Sequence, residues 1–494
     1  MALEQRGGVD GSAAEPAKDL CVSLPACKTK IIATIGPASS SPAVMERMIR
    51  AGLNVARINL SHGDFTGHAA VIADLRATAR AAGRRTAIMA DLPGPKLRIG
   101  RLAADPVELA AGDTFTLTSA PEVSERGRVS VTFDHLADVV KPGQTLFLSD
   151  GLIELRVAAV DGRDVVCHVV VGGELRSRKG LSLPGVDLGE RAFTPHDREC
   201  LEFALAQRVD AVAQSFIESA ADIRALREAA EAMGYHPFVI AKIERARARD
   251  HLGGILDEAD GLMVARGDLG VETPIERIAL AQKDLIRQAH LRGKPVITAT
   301  EMLQSMTTHR RPTRAEASDV ANAVLDGTDA VMLSEESATG QFPVEAVAML
   351  SRIAAETESF PDAAIARRQM QASASGGGAN LADVVAASVD ATVDRVSPAA
   401  VIVPTRSGAT ARSIARYRLP VWIVAACARE AVAQQLLFSY GVFPVVEPTP
   451  PDDWKPFARQ WLRDHDLAGR TVILAAGPSP RHPDASHRME ILEL

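Results

Sequence analysis

The sequence predicts an α/β chain built on a (β/α)8 TIM barrel, with a small β-barrel lid domain inserted into it and an open-sheet α/β domain at its C-terminal end. Three observations lead there. Eight short β-branched runs alternate with helical patterns between Thr29 and Ser334. The third run ends at Leu92 and the fourth starts at Asp210, a gap too long for a single crossover helix. A second alternation of helix and strand follows the glycine-rich stretch from Gln371 to Asn380.

The eight runs are TKIIATI from Thr29, LNVARINL from Leu53, TAIMADL from Thr86, DAVAQSF from Asp210, PFVIAKIE from Pro237, GLMVAR from Gly261, PVITAT from Pro295 and AVMLS from Ala330. Eight is the number that closes a parallel barrel. Helical patterns such as Pro42 to Ala51 and Glu276 to Arg292 are long enough to return the chain across a sheet. The barrel is expected over residues 28–93 and 187–370, after a disordered leader over 1–27. The lid, 94–186, is rich in Val and Leu, alternates with period two at Val129 to Phe133 and Ile153 to Val157, and carries turn signals at GDT, KPG, DGR and VGG. A linker is expected over 371–380. In 381–494, AAVIV, PVWIV, GVFPVV and TVILAA read as buried parallel strands.

The 494 residues are 47% hydrophobic and carry a formal charge of −7, which suits a globular chain with a large core and gives no overall excess of positive charge for nucleic acid or anionic lipid. No apolar run approaches the ~18 residues of a membrane span, and there is no secretory leader pattern. Five cysteines with no C-x-x-C pair suggest neither a disulfide framework nor a zinc site, so a reducing cytoplasm is the expected compartment.

Chemistry in such a barrel belongs at the carboxyl ends of the strands. There the sequence places Arg57, Asn59, Ser61 and His62, then Asp91, Lys242 with Glu244, Arg266 to Asp268, Thr300 with Glu301, and Ser334 to Glu336. Lys242 and Glu244, two apart in a strand, point the same way. Asp268, in the turn RGDLG, brings a second carboxylate toward Glu244. Two protein carboxylates completed by water and substrate are a usual Mg2+ arrangement in phosphoryl transfer, and a lysine beside them would stabilise developing charge. Neither a P-loop nor a dinucleotide fingerprint is present, so a nucleotide would be held by side chains, with Arg57, His62, Arg98 and Lys179 as basic candidates.

From Lys28 onward the chain resembles the pyruvate kinase family. The resemblance rests on TKIIATIGPASSS, GLNVARINLSHG, LPGPKLRIG, FLSDGLIEL, RKGLSLPGV, VIAKIERA, ADGLMVARGDLGVE, GKPVITATEML, RPTRAEASDVANAVLDGTDAVMLSEES and FPVEAV. It implies phosphoryl transfer from phosphoenolpyruvate to ADP, giving ATP and, after protonation of the enolate, pyruvate. By the same resemblance Lys242 stabilises the transition state, and Glu244 and Asp268 hold Mg2+, or Mn2+ in its place. The N–H groups of Gly267 and Asp268 with the Thr300 hydroxyl bind the substrate carboxylate. Thr300, with Ser334 nearby, belongs to the proton route, and Arg57 clamps the phosphoryl group. Asn59, His62, Arg98 and Lys179 face the nucleotide, and Lys179 rides on the closing lid. A homotetramer is implied too.

Three departures from the family pattern matter. Many members that need K+ carry glutamate where LPGPKLR has Lys96, while their Asn, Ser and Asp ligands match Asn59, Ser61 and Asp91. The Lys96 ammonium is expected to supply the charge K+ otherwise brings, making K+ unnecessary. In SEES, Glu335 and Ser337 replace a small residue and a threonine, an expected tuning. PTRSGATAR resembles a phosphate-binding effector loop, with Thr405, Ser407 and Thr410 as hydroxyl donors at a helix start, yet the chain end lacks the glycine-and-threonine pattern of the fructose bisphosphate type. Two other readings compete: a barrel lyase or aldolase with Lys242 as a Schiff base, and a catalytically silent regulator that binds sugar phosphates.

Overall fold

The computed structural model describes residues 24–121, 124–189, 191–360, 367, 381–477 and 487–494. The segment expected as linker, 371–380, and most of the expected leader lie outside the described residues.

All eight expected runs form strands: β1 (Lys30–Thr34), β2 (Leu53–Asn59) and β3 (Ala87–Leu92) before the insertion, and β13 (Ala211–Gln214), β14 (Phe238–Ile243), β15 (Gly261–Ala265), β16 (Val296–Ala299) and β17 (Ala330–Leu333) after it. They pair in parallel and close in the order β1-β17-β16-β15-β14-β13-β3-β2. Most are buried along their whole length, which is why they read as continuous apolar runs and not as alternating ones. Inward residues such as Ile32, Val55, Met89, Ile240, Met263 and Ile297 fill the barrel. Leu437 and Phe438 of the C-terminal domain join that cluster, with Phe438 stacked on Phe238 at 5.6 Å between centroids. One domain thus seals the amino end of the other, and burying such a phenylalanine contributes about 1.5–3 kcal/mol.

The outer helices begin where local chemistry tells them to. Thr194 with Asp197, Ser219 with Asp222 and Thr313 with Glu316 form capping boxes. Asp197 also accepts the Gly94 N–H at 2.8 Å, which ties the start of a barrel helix to the strand end from which the lid departs. Gly94 is required there: its φ is +65°, and a Cβ would stand 2.9 Å from the Phe216 ring and 3.0 Å from Ser215 Cβ.

The inserted segment carries β4 (Val107–Leu109), β5 (Thr114–Thr118), β6 (Ser124–Glu125), β7 (Arg128–Ser130), β8 (Thr145–Leu148), β9 (Ile153–Asp161), β10 (Asp164–Val171), β11 (Gly173–Leu175) and β12 (Leu181–Ser182). Seven of them form a sheet in the order β12-β8-β9-β10-β5-β7-β6, and β11 pairs with β4. Single bridges from Arg98 to Gly180 and from Ile99 to Val131 join the two ends of this sheet, curling it around its own core.

The last domain contains β18 (Ala400–Thr405), β19 (Trp422–Cys427), β20 (Val442–Val446), β21 (Thr471–Ala476) and β22 (Arg488–Glu493), in the order β20-β19-β18-β21-β22. The four expected strands are parallel. β22, which the sequence reading did not foresee, runs antiparallel along β21. Among the described residues no helix is long and apolar enough to cross a membrane.

Candidate active site

At the carboxyl ends of the barrel strands the structure assembles a buried charge network. Lys242 Nζ lies 2.9 Å from Glu244 Oε1 and 3.1 Å from Asp91 Oδ1, and donates to Ser215 Oγ at 2.6 Å. Lys242 is on β14; Glu244, one residue past its end, still faces the same cavity. Asp91 Oδ2 in turn accepts from Arg57 Nε at 2.6 Å, and Arg57 Nη1 donates to Thr34 Oγ1 at 2.9 Å. Strands β3 and β14, with the loop after β13, thus converge on one ammonium, and β1 and β2 join the network through Arg57.

Burial acts against every charge in this set, and the neighbours decide the outcome. Burial pulls Lys242 down, but the Asp91 and Glu244 carboxylates outweigh it and hold the ammonium above the usual lysine value. Burial pushes Asp91 up, but Lys242 and Arg57 together keep it below the usual carboxylate range. Glu244 is raised: burial leads, Lys242 opposes, and the Asp268 carboxylate adds repulsion. A lysine held this firmly protonated is a poor Schiff-base nucleophile, which argues against the lyase reading.

Asp268 lies in the first turn of a short helix, Arg266–Glu272, where the sequence reading had a turn. Its Oδ1 accepts from Lys96 Nζ at 2.9 Å, and Lys96 is also 3.9 Å from Asp150 on the lid. The raised Glu244 with Asp268 as its like-charged neighbour is the combination a divalent cation would relieve. Among the described residues no group of three or more His, Cys, Asp or Glu side chains stands close enough to hold a metal unaided. Glu244 and Asp268, which line one small cavity and repel each other, are a donor set that fits an ion held by two carboxylates, with its other positions open to water and substrate.

The Thr300 hydroxyl meets the N–H of Gly267 at 2.7 Å, so these two expected carboxylate-binding groups are adjacent and bonded to each other. Ser334 follows β17, with its N–H on Glu336 Oε2 at 2.7 Å. Asn59 Oδ1 accepts the Ser61 N–H at 3.2 Å. His62 has its pKa lowered, first by partial burial and then by the nearby charges of Arg98, Arg57 and Lys96. Arg98 donates to the Arg178 carbonyl at 3.1 Å, and the Lys179 carbonyl accepts the Ile99 N–H at 3.0 Å, so the two expected phosphate contacts share the lid's base.

Sequence reasoning missed Ser215 and Phe216. Ser215 Oγ donates to the Leu92 carbonyl at 2.7 Å while accepting from Lys242, and the Phe216 N–H donates to Glu244 Oε2 at 2.7 Å. Their signal was only their place at the end of DAVAQSF.

A family model described as the pyruvate kinase barrel domain matches residues 26–347, and one described as the pyruvate kinase alpha/beta domain matches residues 383–492. A pyruvate kinase of Thermococcus litoralis is 45% identical over 424 residues, covering 86% of this chain and 89% of the relative. The chain belongs to the pyruvate kinase family. A second pyruvate kinase, of Geobacillus stearothermophilus, is 43% identical over 421 residues, covering 84% of this chain and 71% of its own. A crystal structure of a pyruvate kinase from Cryptosporidium parvum superposes with a TM-score of 0.88 at 33% identity, over 95% of this chain and 96% of that one.

Within this pyruvate kinase framework, Glu335 is exposed and accepts from Gln304 at 2.9 Å, whereas Ser337 is buried and donates to the Thr34 carbonyl at 2.9 Å. In the C-terminal domain Thr405 Oγ1 accepts the Gly408 N–H at 2.9 Å and Ser407 Oγ the Ala409 N–H at 3.4 Å, at the start of the helix Ala409–Ala415. Thr410 faces Gly477 across this loop. Part of the chain end compared with the fructose bisphosphate type, 478–486, lies outside the described residues.

Proposed function

We propose that this member of the family transfers the phosphoryl group of phosphoenolpyruvate to ADP and protonates the resulting enolate to pyruvate. The observation that carries this reading is Lys242, a buried, firmly protonated ammonium set between Asp91 and Glu244 with Asp268 beyond. Lys242 stabilises the charge that develops on the transferring group and the enolate oxygen. Arg57, anchored by Asp91 and Thr34, orients the phosphoryl group. Gly267, Asp268 and Thr300 receive the substrate carboxylate, and the Thr300 hydroxyl with Ser334 serves the proton route. Glu244 and Asp268 would hold Mg2+, or Mn2+, which when bound supplies Lewis-acid charge stabilisation. Asn59, His62, Arg98 and Lys179 face the nucleotide, and lid closure excludes water.

Lys96 supports a K+-independent enzyme, because its ammonium already stands among Asp268, His62 and the lid. The monovalent-cation positions Asn59, Ser61 and Asp91 would then have no ion to hold; Asp91 is engaged by Arg57 and Lys242. A cytoplasmic homotetramer, with a phosphorylated effector bound by Thr405, Ser407 and Thr410, completes the reading. The test is pyruvate formation from phosphoenolpyruvate and ADP with Mg2+, in sodium- and potassium-free buffer and again with K+. Equal turnover in both is expected; turnover only with K+ overturns the role of Lys96, and none in either overturns the reaction.

A further inference from the structure

Thr300 and Glu301 are consecutive non-glycine residues in the left-handed region, with φ of 70° and 55°. Each such residue costs about 1–2 kcal/mol, and the conformation persists only where the surroundings over-determine it. One grip comes from Arg266, whose Nη2 donates to the Thr300 carbonyl at 2.8 Å and Nε to the Ala299 carbonyl at 3.3 Å, itself steered by Asp319 at 2.7 Å. The other grip is Glu336. Its Oε1 accepts the Leu303 N–H at 3.0 Å and its Oε2 the Ser334 N–H at 2.7 Å, so one carboxylate joins the loops that follow β16 and β17.

Glu336 is fully buried, and its two oxygens are aimed at backbone donors on two different loops. Helix capping alone does not account for this: Leu303 is outside the short helix Glu335–Ala338 that Ser334 precedes. Burying a carboxylate is costly, and an apolar residue would suit mere packing better.

We propose that Glu336, with Arg266 as its counterpart, is a positioning residue that fixes the Thr300 hydroxyl relative to Ser334 for protonation of the enolate. This rests on the reaction read above. In Glu336→Gln the amide presents N–H to one of the two N–H donors, so one loop is released and the Thr300–Glu301 turn relaxes.

The experiment compares wild type, E336Q, E336D and E316Q by steady-state kinetics, and by NMR of solvent deuterium exchange into the pyruvate methyl group with ATP and Mg2+. E316Q is the control for loss of a cap: Glu316 accepts the Ser305 N–H at 2.6 Å and the Thr313 N–H at 2.7 Å, and its bonds reach neither the loop after β17 nor Thr300. E336Q is expected to lose about 10- to 100-fold in kcat, with methyl exchange falling in step and KM for ADP unchanged. E336D, too short to reach both loops, shows the same pattern at smaller size and carries the test if E336Q does not fold. E316Q keeps its kcat. A folded E336Q with wild-type kcat and exchange overturns the inference, as do equal losses in E336Q and E316Q or a rise in KM for ADP with either Glu336 variant. A wild type that forms no pyruvate removes the reaction and this inference together, whereas an active wild type with an indifferent E336Q removes this inference alone.

Discussion

Replacing Lys242 by Met separates two quantities that the site couples. The ammonium faces Glu244 at 2.9 Å and Asp91 at 3.1 Å. At an effective dielectric of about 20, each contact is worth about 5–6 kcal/mol of Coulomb attraction, most of it offset by desolvation. Removing one partner of such a buried set costs about 3–5 kcal/mol, a large share of the roughly 5–15 kcal/mol that holds a domain folded. The cost should depend on pH. In wild type the folded pKa of Lys242 is raised, so its contribution is whole below the unfolded lysine value and is lost only as pH rises through the folded one. In K242M, Asp91 keeps Arg57, but Glu244 keeps the Phe216 N–H and no cation, while burial, Asp268 and Asp91 all raise it. A carboxyl raised in the folded state binds its proton more tightly than the unfolded chain does, so the loss is small at low pH and grows as pH rises through the folded value. Thermal melts of K242M against wild type at about pH 5 and about pH 8 should show the larger deficit at the higher pH. Turnover should fall by about 3–4 kcal/mol of barrier, about 10²- to 10³-fold. A melting deficit equal at both pH values refutes the charge argument, and undiminished turnover refutes the chemical role.

Chelation of divalent cations should arrest wild-type turnover, and Glu244→Gln should shift the Mg2+ titration of activity to higher concentration; an unshifted titration would remove Glu244 from the ion's ligands. Gly94→Ala places a Cβ 2.9 Å from Phe216 and 3.0 Å from Ser215 at φ +65°, which adds left-handed strain to overpacking and should lower stability by about 2–4 kcal/mol in denaturation. Because Ser215 holds Lys242, kcat should fall with it. Thr405→Val removes the acceptor of the Gly408 N–H and should abolish any shift of the phosphoenolpyruvate saturation curve by sugar phosphates, measured across a panel of them.

The barrel strands were legible because each is short and largely apolar and all but β2 are buried throughout, and the insertion was legible because the distance from Leu92 to Asp210 cannot be one crossover. β22 was not, since RMEILE is half polar and gains its strand character only by pairing along β21. The plug of Leu437 and Phe438 in the barrel's amino end was equally silent: neither residue differs locally from any other core residue, and only the docking of the domain gives it a function. In the site, Lys242 and Glu244 could be paired from strand period alone. The bond between Lys96 and Asp268 joins positions 172 apart in sequence, and no local rule links them. Ser215 and Glu336 act through backbone groups of other loops, which leave no pattern in side-chain spacing.

The charges at the barrel mouth are ordered by depth. Asp91 and Lys242 are nearly buried, with side-chain exposures of 2% and 9%, while Lys96 and Asp268 are open to 30% and 26%. Each carboxylate has a cation within reach: Asp91 has Arg57 and Lys242, Glu244 has Lys242, and Asp268 has Lys96. An arrangement of this kind keeps a buried ionic cluster tolerable, because no charge is left without a partner. The residual imbalance lies in two places. Between Glu244 and Asp268 like charges repel, which favours an added cation. Around His62, burial first and then the charges of Arg98, Arg57 and Lys96 oppose a further proton, and that accumulation of positive charge favours an added anion. On the proposed reading a divalent ion and a phosphoryl group would offset these two imbalances at once, each reducing the electrostatic cost of holding the other, beneath a lid that carries Asp150 and Lys179.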